Sequence, residues 1–264
     1  PAEGEGARLR VKRDSGGSRV LITSFVDELK RLGKEYNCVF ARVRPQFEDN
    51  DFSRNTFRDL GFKDAPMYLH AELTSQLDIT KSEEELLRNM RKATRYEIKK
   101  AQSLGIKIDQ NVEKNIRDFY KLQIETAKRQ RFVPFSKHFL ETQFNVFIKN
   151  DKAIFYTAKY KGKTLAQAFV IFYGTEAVYH YGASTEEGRK YPGSYLIQWE
   201  AILEAKKRGM SRYNFWGISP IDSNDHRFAG LSLFKRGFGG KDVAYLSAQD
   251  LVFNRPKYLI NYLI

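Results

Sequence analysis

Apolar residues recur every three or four positions in some stretches of this chain and cluster in short runs in others, which predicts a mixture of helices and strands. From residue 113 onward the pattern predicts two helices, three strands in quick succession, a helix, a strand, a short helix and a last strand. The three successive strands cover residues 153–160, 164–173 and 177–183, and the glycine-containing turns between them are typical of tight hairpins. The sequence therefore predicts an α/β (α+β) fold with antiparallel hairpins at its centre.

This element order is that of the acetyltransferase-like (GNAT) fold. In that fold, the N-terminus of the helix after the central strand points at the pyrophosphate of coenzyme A. The corresponding turn in this chain, residues 189–194, lacks the usual spacing of glycines. Pro192 has no amide hydrogen to donate, and Tyr191 adds bulk where a phosphate would approach. Coenzyme A binding is therefore disfavoured, and it stays open as an alternative.

The first part of the chain is less regular. Residues 1–22 are rich in glycine, serine and charged residues without periodicity, so we expect a flexible start. Residues 23–110 carry helix and strand patterns that resemble half of an α/β domain, whereas residues 111–264 contain the full element order described above. The expected domain boundaries therefore follow residues 22 and 110.

One predicted helix stands out by its charge. A capping box at Ser82 and Glu85 and a glycine stop at Gly105 predict a single helix over residues 82–104, with its apolar residues on one face. The opposite face carries a basic stripe made of Arg88, Arg91, Lys92, Arg95 and Lys99. A solvated helix face usually mixes charges of both signs, so binding to a phosphate backbone is favoured over a solvated surface.

The composition agrees with a polyanionic partner. Lys and Arg number 45 against 32 Asp and Glu, which gives a net charge of +13 and a pI near 9.6. The single cysteine, Cys38, excludes an intramolecular disulfide and suits a reducing compartment. No apolar run approaches the roughly 18 residues that span a bilayer, and no signal peptide is visible. We therefore expect a cytoplasmic protein without a transmembrane segment.

The candidate chemistry lies near the C-terminus. An apolar run leads to Lys235 and then breaks into glycines at positions 237, 239 and 240. A lysine at the mouth of a site would offer a compact positive charge to an oxygen that becomes negative during a reaction. On these residues alone, the alternative stays open that Phe234 and Phe238 are core residues and that Lys235 lies in a solvated turn.

Five segments, taken together and in this order, resemble the FemABX family: MRKATRYEIKKA at 90–101, YHYGAS at 179–184, YLIQWEA at 195–201, YNFWGI at 213–218 and FKRGFGG at 234–240. These enzymes transfer an amino acid from aminoacyl-tRNA to the stem peptide of a peptidoglycan precursor, in cell wall biosynthesis. The resemblance extends from about residue 23 to the C-terminus. It implies two GNAT-like subdomains, of which we expect the first to be N-terminally shortened.

The resemblance also implies roles for individual residues. Lys235 matches the family lysine most closely tied to transfer, and Phe234 lies beside it near the acceptor end of the tRNA. Binding of the acceptor is implied for Tyr181, Arg131 and Lys137. The tRNA itself is expected on the basic stripe.

The expected partners are aminoacyl-tRNA and a peptidoglycan precursor, either UDP-MurNAc-pentapeptide or lipid II, with peripheral contact to the inner membrane leaflet. No cofactor and no metal are expected, because the ester of aminoacyl-tRNA is already activated. Two alternatives stay open. One is an acyl-coenzyme A-dependent N-acyltransferase of the GNAT fold, and the other is a non-catalytic module that binds RNA or an anionic surface.

Overall fold

The computed structural model describes residues 15–67, 71–130, 133–222, 226 and 228–263. By its internal contacts the chain divides into two compact units, the first made of Pro1–Glu72 and Ala244–Ile264 and the second of Leu73–Val243. These limits differ from the predicted boundaries after residues 22 and 110. None of the helices that the structure describes is long and apolar enough to cross a membrane.

The elements follow one another along the chain as α1 (Ser15–Glu35), β1 (Phe40–Val43), α2 (Asp51–Asp59), β2 (Phe62–Asp64), β3 (Leu73–Asp78), α3 (Glu83–Asn89), α4 (Lys92–Ser103), β4 (Lys107–Gln110), α5 (Glu113–Gln130), α6 (Lys137–Lys149), β5 (Ala153–Tyr160), β6 (Lys163–Tyr173), β7 (Glu176–Ser184), a 3-10 turn (Glu187–Lys190), α7 (Gly193–Lys207), β8 (Arg212–Gly217), α8 (Ala229–Arg236), β9 (Lys241–Ala244), β10 (Gln249–Val252) and α9 (Arg255–Leu263). From α5 to β9 the helices and strands follow the predicted order, and β10 is an additional strand, since the sequence predicted only one strand after the short helix.

The first unit is built on a three-stranded antiparallel sheet in the order β1-β10-β2. Its central strand, β10, comes from the C-terminal part of the chain, so this unit is not one continuous segment. The predicted division at residue 110 differs from the observed one because β3 and β4 pair with β8 and β5 of the second unit. The core of this unit is apolar and contains Val26, Phe57, Phe62, Leu246 and Leu251. Helix α1 begins at Ser15, so residues 15–22 are helical where the sequence predicted a flexible start.

The second unit has a seven-stranded sheet in the order β4-β5-β6-β7-β8-β3-β9. Strands β5, β6 and β7 form the predicted antiparallel hairpins, whereas β7 and β8 run parallel. Lys161 and Gly162 both have positive φ, 48° and 75°, as the first hairpin turn requires. One core cluster of this unit includes residues of α7, and another contains the edge-on and tilted rings of Phe119, Phe144 and Phe155.

The predicted helix over residues 82–104 is interrupted. Helix α3 ends at Asn89, and Met90 and Arg91 have extended backbones with ψ of 152° and 141° before α4 begins. The Arg91 N–H donates to the carbonyl of Gly237 at 2.9 Å instead of continuing the helical ladder. A contact with a distant segment therefore overrides the local helical pattern.

Candidate functional site

The second unit contains a cavity of about 600 Å³. Residues of α5, β7, α7 and α8, together with the end of β8, line its wall. Tyrosine, phenylalanine and tryptophan side chains supply much of the lining, and Arg129, Arg189 and Lys235 supply its basic groups. A cavity rich in aromatic and apolar side chains with a few convergent polar groups is the usual form of a ligand site.

Lys235 is the chemically distinctive residue of this cavity. It lies in the last turn of α8, directly before the glycines at positions 237, 239 and 240, and only 5% of the residue is exposed. Its Nζ donates to the carbonyl of Gly217 at 2.6 Å and lies 5.7 Å from the ring centroid of Tyr179. Within the described part of the chain, no carboxylate forms an ion pair with it.

Burial changes the acid–base behaviour of Lys235. Because the ammonium form loses hydration in the cavity wall, the pKa of Lys235 falls from its ordinary value to about 7. The sequence suggested a permanent cation at this position. The structure instead provides an amine that is present in both protonation states near neutral pH.

The two phenylalanines around Lys235 have different surroundings. Phe238 is fully buried, as the core alternative for this segment required. Phe234 is half-buried, lines the cavity and packs edge-on against Tyr195, with ring centroids 4.8 Å apart. The other half of that alternative, a solvated Lys235, is wrong because this residue is buried.

Tyr181 lines the same cavity, so the structure brings it together with Lys235 and Phe234. Its ring lies 4.2 Å from that of His180 and 6.1 Å from that of Phe135, measured between centroids. Partial burial raises the pKa of the Tyr181 hydroxyl to about 12. Tyr181 therefore presents a neutral hydroxyl at neutral pH.

The sequence assigned no role to Tyr179, whose ring centroid lies 5.7 Å from Lys235 Nζ. The pairing of β6 with β7 shifts by one residue between Tyr179 and Tyr181, so β7 bulges at this point. The Tyr179 hydroxyl occupies the space next to Gly182, where an added Cβ would lie 1.7 Å from it. A glycine inside a predicted strand was the available signal, since such glycines mark bulges and close approaches.

The other predicted acceptor residues are placed differently. Lys137 lies at the start of α6, with a side chain 56% exposed and 3.7 Å from Glu141, and it is not among the residues that line the cavity. Its predicted place in the acceptor site is therefore not supported by the structure. Arg131 lies outside the described residues.

The predicted basic stripe does not form one face of one helix. Arg88 belongs to α3, Arg91 to the break, and Lys92 and Lys99 to α4; all four are exposed. Arg95 is half-buried, and its guanidinium donates to carbonyls at the end of α3, at 3.0 Å to Arg88 and also to Leu87 and Met90. It satisfies backbone carbonyls that the helix end leaves open, so its prediction as a phosphate ligand is replaced by a structural role.

The turn before α7 is tightly packed. An added Cβ on Gly188 would lie 1.9 Å from the carbonyl oxygen of Leu165, so this turn needs glycine for close approach to β6. Tyr191, the residue before Pro192, lines the cavity and has its ring 5.2 Å from that of Tyr160. The N-terminus of α7 thus presents an aromatic side chain at the cavity.

Comparison with known families places this site in context. The sequence model of the FemAB family matches residues 50–163 and 156–263 of this chain. The chain belongs to the FemAB family.

Among relatives, the aminoacyltransferase FemA of Staphylococcus epidermidis is 23% identical over an alignment 327 positions long, which covers 92% of this chain and 78% of that FemA. The crystal structure of FemX matches with a TM-score of 0.84 at 17% identity, over 92% of this chain and 79% of FemX. A tandem GNAT protein from the clavulanic acid biosynthesis pathway matches with a TM-score of 0.53 at 10% identity, over 91% of this chain and 71% of that protein.

These comparisons confirm the predicted resemblance to the FemABX family and the predicted fold class, an α/β (α+β) fold with GNAT-like subdomains. They also bear out the predicted activity class, an aminoacyltransferase of this family. Neither the coenzyme A-dependent alternative nor the non-catalytic alternative is favoured by them.

Proposed function

We propose that this FemAB-family aminoacyltransferase moves an amino acid from aminoacyl-tRNA to an amine of the stem peptide of a peptidoglycan precursor, and that Lys235 carries the proton transfers of the reaction. The observation that supports this role is the position of Lys235, buried in the wall of an aromatic cavity with a backbone carbonyl as its hydrogen-bond acceptor. A buried lysine without a carboxylate partner is energetically costly, which is typical of functional sites.

The reaction exchanges an ester for an amide. The acceptor nitrogen attacks the carbonyl carbon of the aminoacyl ester, a C–N bond forms, the ester C–O bond breaks, and the tRNA leaves with a free hydroxyl. The attacking nitrogen must lose a proton and the leaving oxygen must gain one. Because the ester is already activated, the main catalytic contribution required of the enzyme is a group that transfers this proton at neutral pH.

Lys235 is suited to both proton transfers. With a pKa of about 7, a substantial share of its amine is neutral near pH 7 and accepts the proton of the attacking nitrogen. The ammonium that results then donates to the developing oxyanion and to the leaving oxygen. Phe234 and Tyr181, which line the same cavity, are proposed to contact the acceptor end of the tRNA and the stem peptide, respectively.

The exposed residues Arg88, Arg91, Lys92 and Lys99 are proposed to contact the phosphates of the tRNA. Arg131, which follows the cavity-lining Arg129 in the chain, stays the proposed basic contact for the acceptor. The acceptor is proposed to be UDP-MurNAc-pentapeptide or lipid II. A lipid-linked acceptor would require peripheral contact with the inner membrane leaflet, and charged tRNA as donor implies action in the cytoplasm.

Transfer from a mixture of charged tRNAs tests the proposed function. The purified protein is incubated separately with the nucleotide precursor and with the lipid-linked precursor, and the products are analysed by mass spectrometry. We expect a mass increase of one or more amino acid residues on one of the two acceptors. No product from any charged tRNA, together with acylation of the precursors from acyl-coenzyme A, would contradict the proposal.

Lys235→Arg separates the proton-transfer role from a simple cationic role. Arginine keeps the positive charge but does not release its proton near neutral pH. We expect both Lys235→Arg and Lys235→Ala to lose about 10²- to 10³-fold in kcat, while Lys241→Ala, at an exposed position on β9, keeps wild-type turnover. Retention of most activity by Lys235→Arg would show that charge alone suffices and would refute the proton-transfer role.

A further inference from the structure

The end of β8 has an unusual backbone conformation next to Lys235. Trp216 has a φ of 64°, in the left-handed region that bulky residues rarely adopt. In the pairing of β3 with β8, Gln76 lies opposite Asn214 and Thr74 opposite Gly217, so β8 has one extra residue and bulges here. Such bulges normally place glycine in the left-handed position, and a tryptophan there must be held by its surroundings.

Asn214 supplies a contact that holds this bulge. The Trp216 N–H donates to the Asn214 side-chain oxygen at 2.8 Å, a local turn in which an asparagine side chain bonds the backbone two residues on. Asn214 is only 1% exposed, and its side-chain amide donates to Glu176 at 3.2 Å. Glu176 in turn pairs with Arg212, so the asparagine is oriented on its other side as well.

The residues after the bulge anchor the helix that carries the lysine. The carbonyl of Gly217 accepts from Lys235 Nζ at 2.6 Å. Two residues further on, the Ser219 carbonyl accepts from Arg236 at 2.6 Å, and the Ser219 N–H donates to Ser232 at 2.7 Å. Helix α8 therefore takes its position from the chain that leaves the bulge.

We propose that Asn214 is a positioning residue for the transfer reaction: its side-chain oxygen holds the left-handed bulge at Trp216, and the bulge places the Gly217 carbonyl where it holds the Lys235 amine at the cavity wall. This inference rests on the proposed function, in which Lys235 is the catalytic group. A displacement of about 1 Å in such a group is enough to cost about 100-fold in rate.

The environment of Lys235 provides a readout that does not depend on turnover. The other titratable groups of the cavity lining are Tyr179, Tyr181, Tyr191, Tyr195, His180, Arg129 and Arg189. Since the lowered pKa of Lys235 is caused by burial, an amine released into the cavity water would regain a pKa closer to its ordinary value. Competitive labelling with acetic anhydride across a pH series, followed by mass spectrometry, measures the pKa of Lys235 without substrates.

Asn214→Ala is the direct test. We expect kcat to fall about 10- to 100-fold, KM for both substrates to change less than about threefold, and the pKa of Lys235 from labelling to rise. The matched control is Asn111→Ala. The Asn111 side-chain oxygen likewise accepts a backbone N–H, that of Phe155 at 2.8 Å, and Asn111 itself has a positive φ of 52°, but it does not line the cavity. This control should lose stability without changing either the pKa of Lys235 or kcat.

Asn214→Ser keeps the inference testable if the alanine variant does not fold. A serine hydroxyl accepts the same N–H more weakly, so values between those of the wild type and the alanine variant are expected. The proposal is overturned if Asn214→Ala, or Asn214→Ser in its place, loses stability like Asn111→Ala while the labelling profile of Lys235 and kcat stay unchanged. Absence of transfer by the wild type would contradict the proposed function, whereas the labelling profile would still decide the role of Asn214.

Discussion

Lys235 and the exposed basic residues of α3 and α4 carry the same kind of charge in opposite surroundings. Lys235 is buried against aromatic rings with a carbonyl as its partner, whereas Arg88 has a side chain 76% exposed and a carboxylate 3.9 Å away. Burial makes the protonation state of one lysine depend on its packing. Exposed charges are screened by salt, so each contributes little to binding and the total depends on how many of them contact the partner. Chemistry is therefore expected from the buried lysine, and affinity for a polyanion from the exposed group.

The largest effect on folding is expected from Lys235→Met. In the wild type the folded pKa is about 7 and the unfolded pKa about 10.4, so the unfolded chain binds more protons between these values. The wild type should therefore gain stability as pH rises through this window, by at most about 1.4 kcal/mol per pH unit. The methionine variant should lack this gain and be the more stable protein below pH 7.

Urea unfolding over a pH series measures this difference. Lys241→Met, at an exposed position of the same unit, serves as the matched control and should keep the pH dependence of the wild type. If the free energy of unfolding had the same pH dependence in Lys235→Met and in the wild type, Lys235 would not be buried in solution. Lys235 would then not differ in its surroundings from the exposed basic residues of α3 and α4.

Arg95 belongs to the predicted basic stripe but is half-buried. Its surroundings are therefore intermediate between those of Lys235 and those of the exposed basic residues. Arg95→Ala leaves the carbonyls at the end of α3 without their guanidinium partner, and we expect a loss of about 1–3 kcal/mol in the free energy of unfolding. Lys92→Ala, on the exposed first turn of α4, should change it by less than about 0.5 kcal/mol. Equal losses from chemical denaturation of both variants would argue against the capping role.

The smallest effects are expected from single exposed lysines. Lys92→Ala and Lys99→Ala should each weaken tRNA binding by about 1 kcal/mol or less and lower the slope of log affinity against log salt by about 1. Lys121→Ala on α5, which removes a lysine already paired with Asp118 at 3.5 Å, is the control and should leave the slope unchanged. Filter binding at several salt concentrations gives the slopes. Unchanged slopes for both test variants would remove this surface from the proposed tRNA site.

The sequence predicted many strands and several cavity residues of the second unit, but not the lowered pKa of Lys235. The strand at 212–217 and the hairpin strands agree with the structure because their apolar residues and turns are encoded within about ten neighbouring positions. The cavity residues Lys235, Phe234 and Tyr181 came from short motifs, and the structure brings all three to the lining of one cavity. Tyr179 lies in the motif that contains Tyr181, and Asn214 lies in the motif at 213–218, but the partners of these two residues across the sheet and along the bulge could not be seen in the sequence.

Local patterns alone determined the types and order of the helices and strands from α5 to α8, because hydrophobic period and turn chemistry are short-range properties of a chain. Contacts between distant residues decided the rest. Strand β10 enters the sheet between β1 and β2, and the Gly237 carbonyl takes the N–H of Arg91 and breaks the predicted basic helix. The pKa of Lys235 was also decided by tertiary structure. Segments far apart in the sequence bury its side chain, and this burial raises the free energy of the charged form.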